Sequence, residues 1–479
     1  MRRCPSRLRY HRRFRGAWCL PGSLILDALR LVQVLFGGLR PAHSGKFTGF
    51  IREISPDETR LIPMPDDSYR PRIIDEQVAR ALRAAGAVLI EGSKACGKTT
   101  TAEQAAASVV KLDRDEPLRV AGVANPSVLL AGDVPRLIDE WELVPGVWNA
   151  VRAAVDERRT PGQFILTGSA TPADDSTRHS GAMRFSRVEM HPMSLFESGL
   201  SNGSVSLGGL WCGEPVDAAS GGPDLADIAE AACRGGWPGL QSLDVEAAQD
   251  MCRSYLRSIA SADIVTVDGV RRDPTKVSAL LNALARNTST YVTNRRLQTD
   301  SAMFGAMIDP STITNYLDAL QRLWVLVPQL AWGGHLRSSA PARRAPKRHL
   351  VDPSLAAAAM NATPEALLSD HETFGQVFET LVFRDLSVYA QANRMDVRSF
   401  QDSKGNEIDA VVTQGDQWAG IEVKLVGTGP VLDEAAAKLK ALSTRMTSQP
   451  RFLAIVTAVG LAYTRADGVH VVSSTQLGV

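Results

Sequence analysis

Three things are scarce in this sequence, and each scarcity excludes a class of protein. Its six cysteines, Cys4, Cys19, Cys96, Cys212, Cys233 and Cys252, form no C-x-x-C pair. A zinc site or a disulfide framework is therefore not expected, and a reducing compartment, the cytoplasm, is. Net charge is nearly absent, with 53 Lys plus Arg against 52 Asp plus Glu. No bulk field marks a nucleic-acid partner, so any basic surface has to be local. Long apolar runs are missing too: Asp27 and Arg30 interrupt Leu20–Phe36, which argues against a membrane span or a cleaved export signal.

Acid is scarce at the start of the chain. Arg2, Arg3, Arg7, Arg9, Arg12, Arg13 and Arg15 all precede Asp27, the single acid before Glu53. Met64 falls just before the first globular pattern, so residues 1–63 are expected to be a disordered or non-native extension. A basic nucleic-acid-binding arm and a transit peptide are the other readings of the same charge. The remainder is ordinary in its 44% hydrophobic and 22% charged content. A length of 479 residues suggests roughly three folded units.

The strongest motif is Gly92-Ser93-Lys94-Ala95-Cys96-Gly97-Lys98-Thr99, a complete G-x-x-x-x-G-K-[ST] loop followed by Thr100. It stands between the apolar run Ala87–Ile90, read as a buried strand ending at Glu91, and the alanine-rich helical stretch Thr100–Val109. Strand, glycine loop and helix N-terminus together cradle phosphate oxygens, so ATP is the expected ligand. Lys98 would bridge the β- and γ-phosphates and Thr99 would place its hydroxyl on Mg²⁺.

Val109–Asp113 reads as a second strand, and Arg136–Glu140 as a third that ends in two carboxylates. Asp139 would hold Mg²⁺ and Glu140 would orient the attacking water. Phe164–Ser169 is another apolar strand, whose Thr167 or Ser169 could sense the γ-phosphate at the carboxyl edge of a parallel sheet. Arg178, Arg184 and Arg187, read as lying in a polar loop, are candidates for a transition-state arginine.

From residue 70 onward the chain resembles bacterial and archaeal ATP-binding proteins of the AAA-like class, whose ATPase core precedes a C-terminal region of unassigned function. The resemblance rests on Tyr69–Asp75, Pro135–Trp141 with Pro145 and Trp148–Arg152, Leu166–Ser169, and His191–Gly199. It implies ATP binding and hydrolysis through Lys98, Thr99, Asp139 and Glu140. Gly181-Ala182-Met183-Arg184 departs from it, having Met183 where a second glycine would be expected. Arg234-Gly235-Gly236-Trp237-Pro238 resembles the turn that closes the ATPase part.

Further on, Lys276–Arg286 and Ser311–Trp324 carry apolar residues at helical spacing, and Val325–Val327 reads as extended. That order suggests a winged helix, with Ser311, Thr312, Thr314 and Asn315 offered to DNA and Arg295, Arg296, Arg337, Arg343, Arg344, Lys347 and Arg348 as backbone contacts.

Near the C-terminus, Asn406–Val412 and Gly420–Leu425 read as two strands of a hairpin turning at Gly415-Asp416, which can bring Asp409 beside Glu422. Two carboxylates with Lys424 can bind Mg²⁺ and activate water against a phosphodiester. The arrangement resembles the PD-(D/E)XK nuclease superfamily, with Asp409, Glu422 and Lys424 in its D…E-x-K pattern and Glu379, on the helical stretch Phe374–Asp385, as its helical acid. That resemblance implies metal-dependent cleavage as the ancestral chemistry, with Asp409 and Glu422 as metal ligands.

The expected fold is thus α/β: a P-loop NTPase parallel sheet flanked by helices (64–200), a linker (201–225), a helical winged-helix module (226–345) and a restriction-endonuclease-like α/β domain (346–479). The expected function is Mg²⁺-dependent ATP hydrolysis, acting on DNA. The rival is an ATP-operated switch whose C-terminal domain binds nucleic acid or a protein without cutting. Self-association is left open and no membrane partner is expected.

Overall fold

The computed structural model describes residues 69–169, 181–216, 222–333, 346–402 and 404–479. The expectations for residues 1–63, Arg178, Arg337, Arg343 and Arg344 lie outside them. Helix α1 (Asp75–Ala84) leads into strand β1 (Ala87–Glu91), and α2 (Lys98–Ala105) follows the glycine loop. Then come β2 (Ser108–Lys111), α3 (Glu116–Ala124), β3 (Arg136–Asp139), α4 (Val147–Arg158), β4 (Phe164–Gly168) and β5 (Phe185–Glu189). The strands form one parallel five-stranded sheet in the order β2-β3-β4-β1-β5.

β1 is aliphatic because both its faces are covered. Val88 and Ile90 pack with α1 and α2, whereas Ala87 and Leu89 pack with Val147, Trp148 and Val151 of α4, as the two-residue alternation of a strand requires. β5 corrects the expectation of a polar loop. It is the edge strand, where only Val188 of Phe185–Glu189 is buried, so its sequence carries little apolar signal. Arg187 lies within it and bonds Glu91 at 3.2 Å, while Arg184 bonds Asp156 at 2.9 Å. Met183 takes φ 65°, the left-handed region that glycine favours.

The stretch expected as a linker is ordered where described. After the short helix α5 (Leu195–Ser198), β6 (Val205–Ser206) pairs with β15 (Leu477–Gly478) at the far end of the chain. α6 (Leu207–Cys212) buries Leu207, Leu210 and Trp211. Glycine and serine content gave no sign of a strand whose partner is so distant. Cys96, Cys233 and Cys252 are free and buried.

The helical region comprises α7 (Leu225–Arg234), α8 (Val245–Ser258), which runs into a π-helical turn at Ile259–Asp263, α9 (Pro274–Arg286), α10 (Asn294–Met303) and α11 (Pro310–Arg322). β7 (Leu326–Gln329) and β8 (Lys347–Leu350) close it as an antiparallel pair. The expected boundary at residue 345 therefore cuts a hairpin. α12 (Pro353–Met360) packs on α8 and α9, and α13 (Pro364–Ser369) packs on α7, so this region extends through Ser369.

The long helix α14 (His371–Ala392) then backs a six-stranded sheet. Its strands are β9 (Asp396–Gln401), β10 (Glu407–Gln414), β11 (Gln417–Lys424), β12 (Leu453–Thr457), β13 (Tyr463–Thr464) and β14 (His470–Ser473), in the order β13-β14-β12-β11-β10-β9. α15 (Gly429–Ser443) packs on β11 and β12. β10 and β11 form the expected hairpin about Gly415-Asp416, with Gln414 opposite Gln417.

A buried ionic cluster joins these parts. Arg384 of α14 donates to Asp352 at 2.9 Å and to Asp385 at 2.7 Å, and all three side chains are almost wholly buried. Asp352 accepts the Gly236 N–H at 2.9 Å, and Asp385 accepts the Leu195 N–H at 3.1 Å. Gly236 is needed for close approach: a Cβ there would sit 2.1 Å from the Met193 carbonyl. The Gly-Gly-Trp-Pro turn is thus where the parallel-sheet domain, the helical region and α14 meet. Removing Arg384 would strand two buried carboxyl groups. Arg384→Met is expected to cost about 3–5 kcal/mol in denaturant unfolding, whereas Arg253→Ala, at an exposed pair with Asp250, should cost under ~1 kcal/mol.

Candidate functional site

The phosphate loop is held from outside as well as by its own turns. Gly97, at φ 106°, is the N-cap of α2, a conformation that a side chain would strain. Arg72 donates to the Cys96 carbonyl at 2.8 Å and to Glu197 at 2.9 Å. Glu197 is also the capping-box acid of α5, bonded to the Ser194 N–H at 2.8 Å. Burial would push its carboxyl up, but Arg72 outweighs that and holds it below the usual range. Two stretches that carry the sequence resemblance, Tyr69–Asp75 and His191–Gly199, therefore make one brace behind the loop. Neither acid nor arginine stood out by spacing.

Within the loop, Lys98 is buried and bends back onto the carbonyls of Gly92 and Ser93, at 2.9 and 2.8 Å. The Ser93 hydroxyl is buried without a partner, and Thr100 is exposed on α2. Cys96 is buried with Sγ 3.5 Å from the Met190 carbonyl. Lys94 turns away to Asp263 in the π-helical turn, at 2.7 Å. Ala95 takes φ 62° at the crest of the loop.

Asp139 ends β3 where sequence reasoning put it. Its Oδ1 accepts from Thr99 at 2.8 Å and from Thr167 at 2.5 Å. The hydroxyl of Thr99 and the carboxylate of Asp139 are hard oxygen donors that fit Mg²⁺. Glu140 follows at φ 54°, a left-handed conformation uncommon outside turns and functional sites, and accepts from the Ser169 hydroxyl at 3.2 Å. The expected residues thus converge at the carboxyl ends of β1, β3 and β4.

Glu142 escaped the sequence reading. It accepts the Ser169 N–H at 2.8 Å, and burial, then the neighbouring Glu140, pushes its carboxyl up to about 8. Its three-residue offset from Asp139 was the only signal.

In the C-terminal sheet, Ala410 faces Ile421, so Asp409 and Glu422 occupy the next position along the two strands. Glu422 is fully buried and accepts from Lys424 at 2.8 Å and from Lys438 at 2.7 Å. The carboxyl group is interior, while both lysines reach it from the partly exposed side. Asp409 accepts the Val423 N–H at 2.9 Å. The unexpected member is Lys347 of β8, which bonds Glu379 at 2.5 Å and Asp409 at 3.3 Å.

Burial would raise Asp409, but Lys347 and Lys424 hold it below the usual carboxylate range. Burial, then Asp409, pushes Glu379 up to about 8 against the pull of Lys347. Burial likewise raises Glu422. Among the described residues no three His, Cys, Asp or Glu side chains form a metal-ligand group. Asp409 and Glu422, expected as metal ligands, are bonded to protein donors, so these residues as arranged do not fit a divalent ion.

The basic residues expected to face DNA divide. Lys347 is buried, and Arg348 is turned inward to the Val292 carbonyl. Arg295 is exposed, and Arg296 is exposed but paired with Asp300 at 2.9 Å. Ser311, Thr314 and Asn315 are exposed on α11, with Thr312 half-buried.

Comparison with known proteins places a family model on each of these regions. Residues 84–198 match an AAA domain, residues 225–366 a domain of unknown function, DUF8612, and residues 374–477 another, DUF4143. Uncharacterized proteins of Mycobacterium bovis and Mycobacterium tuberculosis are each 24% identical over 359 residues, covering 74% of this chain and 73% of theirs. Among solved structures, the Walker-type ATPase PABY2304 of Pyrococcus abyssi is 14% identical with a TM-score of 0.39, covering 61% of this chain and 99% of that one. A chain of Drosophila ORC bound to DNA is also 14% identical, with a TM-score of 0.21 and coverage of 70% and 99%. The chain carries an AAA-like P-loop ATPase domain. No helix among the described residues is long and apolar enough to cross a membrane.

Glu142 generates a prediction. A carboxyl raised from 4.5 to about 8 on folding contributes stability that is fully present below the lower value and is lost as pH rises through the upper one. Unfolding at about pH 5 and about pH 8 should show a decline in the wild type that Glu142→Gln reduces, Glu379 contributing to what remains.

Proposed function

We propose that this chain is a Mg²⁺-dependent ATPase of the AAA-like type that acts on DNA, with a winged helix as its DNA contact and a nuclease-like C-terminal domain. The observation that carries the ATPase reading is the meeting of Thr99, Thr167 and Asp139 beside the phosphate loop. Lys98 would leave its two carbonyls for the β- and γ-phosphates, and Thr99 with Asp139 would hold Mg²⁺. Glu140, hydrogen-bonded by Ser169, would orient the attacking water.

The DNA reading is supported by the order α9, α10, α11, then the β7–β8 pair, with Thr290 bridged to Arg348 at its base. Asn294 bonds Thr314 at 3.0 Å, so the start of α10, with exposed Arg295, shares a surface with the polar face of α11. That is how a winged helix presents a recognition helix and a phosphate contact.

A second reading, a nucleotide-operated switch whose C-terminal domain binds without cutting, is favoured by two contacts. Lys94 of the phosphate loop is paired with Asp263 of the helical region, a link that bound phosphate would compete for. The C-terminal carboxylates, moreover, are already bonded to lysines.

Lys98→Ala should lower ATP turnover by at least ~100-fold, measured as phosphate release. Arg295→Glu should weaken binding to duplex DNA and reduce its log–log salt slope by about 1. A Mg²⁺-dependent cleavage assay, with and without ATP, separates the two readings. Cutting that Lys424→Ala abolishes supports the nuclease, and ATP turnover without cutting supports the switch.

A further inference from the structure

The C-terminal carboxyl cluster has a cation already in it. Glu379 of α14 and Asp409 of β10 approach one Nζ, that of Lys347, at 2.5 and 3.3 Å. Lys347 is 1% exposed. It belongs to neither the sheet nor α14 but to β8, and Tyr291 covers it, with the ammonium 5.6 Å from the ring centroid. Glu422, the third acid, is bonded to Lys424 and Lys438. Glu407 adds a further acid acting on Lys347 and Glu379, so the place between Glu379 and Asp409 is already taken by an ammonium group that a dication would have to displace.

The backbone around Lys347 is pinned. His349, two residues on, lies 3.1 Å from the Gln329 amide oxygen, and Gln329 donates to the Asp409 carbonyl at 2.9 Å. The strand pair that delivers the ammonium is therefore fastened to the strand that carries the acid. One carboxyl oxygen of Glu422 remains buried without a partner, so the cluster retains a ligand position that the lysines leave unfilled.

We infer that Lys347 is the resident cation of this cluster and takes the position between Glu379 and Asp409 that a divalent metal ion would hold. The inference rests on the nuclease-like reading only for which acids form the site. Cleavage is not its readout. On this basis the cluster binds no divalent ion while Lys347 is present, and removing the ammonium opens a site between Glu379 and Asp409.

The test is Mn²⁺ binding to the full chain without nucleotide, followed by electron paramagnetic resonance. Wild type and Asp409→Asn should give the same isotherm. Lys347→Met should gain one site, binding Mn²⁺ about tenfold or more tightly than wild type, and Lys347→Met with Asp409→Asn should lose it again. Loss of a wild-type site in Asp409→Asn would overturn the inference, as would no gain in a folded Lys347→Met. If Lys347→Met does not fold, the wild-type comparison, repeated with Glu379→Gln, decides alone. A gained Mn²⁺ site in a protein that never cuts DNA would count against the nuclease and leave Lys347 in its assigned role.

Discussion

The guanidinium of Arg384 is the contact on which the arrangement of the parts depends. It is buried between Asp352, at the start of α12, and Asp385, its own neighbour on α14. Each aspartate spends its remaining capacity on a backbone N–H of another segment, Gly236 or Leu195. A buried ion pair of this kind costs desolvation that its Coulombic attraction only partly repays, so breaking it by removing one partner costs far more than the intact pair contributes. The packing of the Gly-Gly-Trp-Pro turn against the end of the ATPase domain satisfies these groups together.

The nucleotide site inherits that order. Arg72 ties the loop carbonyl of Cys96 to Glu197 and so to α5, and the first residue of α5 is the one whose N–H reaches Asp385. Hydrogen bonds at both ends of α5 thus connect the phosphate loop to α14, the helix that carries Glu379. Lys94 and Asp263 add a second tie, to the helical region. The π-helical turn that holds Asp263 is a local departure from α-helical pairing of a type that often marks function. Loop and C-terminal cluster belong to one connected framework.

Much of the ATPase site was legible because its chemistry is local in sequence. Eight consecutive residues make the loop, and a strand ending in two acids puts Asp139 and Glu140 beside it. β5 was not legible, because an edge strand needs few apolar residues. β6 was not, because its partner lies at the end of the chain. Lys347 and Arg348 read as part of a basic cluster, but Lys347 is buried and Arg348 turns to the Val292 carbonyl, since charge alone does not say which way a strand faces. Glu142 read as one more polar residue, and only its burial against β4 sets it apart.

The sequence by itself determined the phosphate loop, strands β1 to β4 around it, and the hairpin that carries Asp409 and Glu422, because each follows from spacing within a few residues. Tertiary structure alone decided what each charge meets. It put Arg72 behind the loop, Arg384 between two aspartates and Lys347 between two acids of a sheet to which it does not belong. The physical reason is that ion pairs between distant segments leave no periodicity in the chain. Their partners are chosen by the packing that brings the segments together.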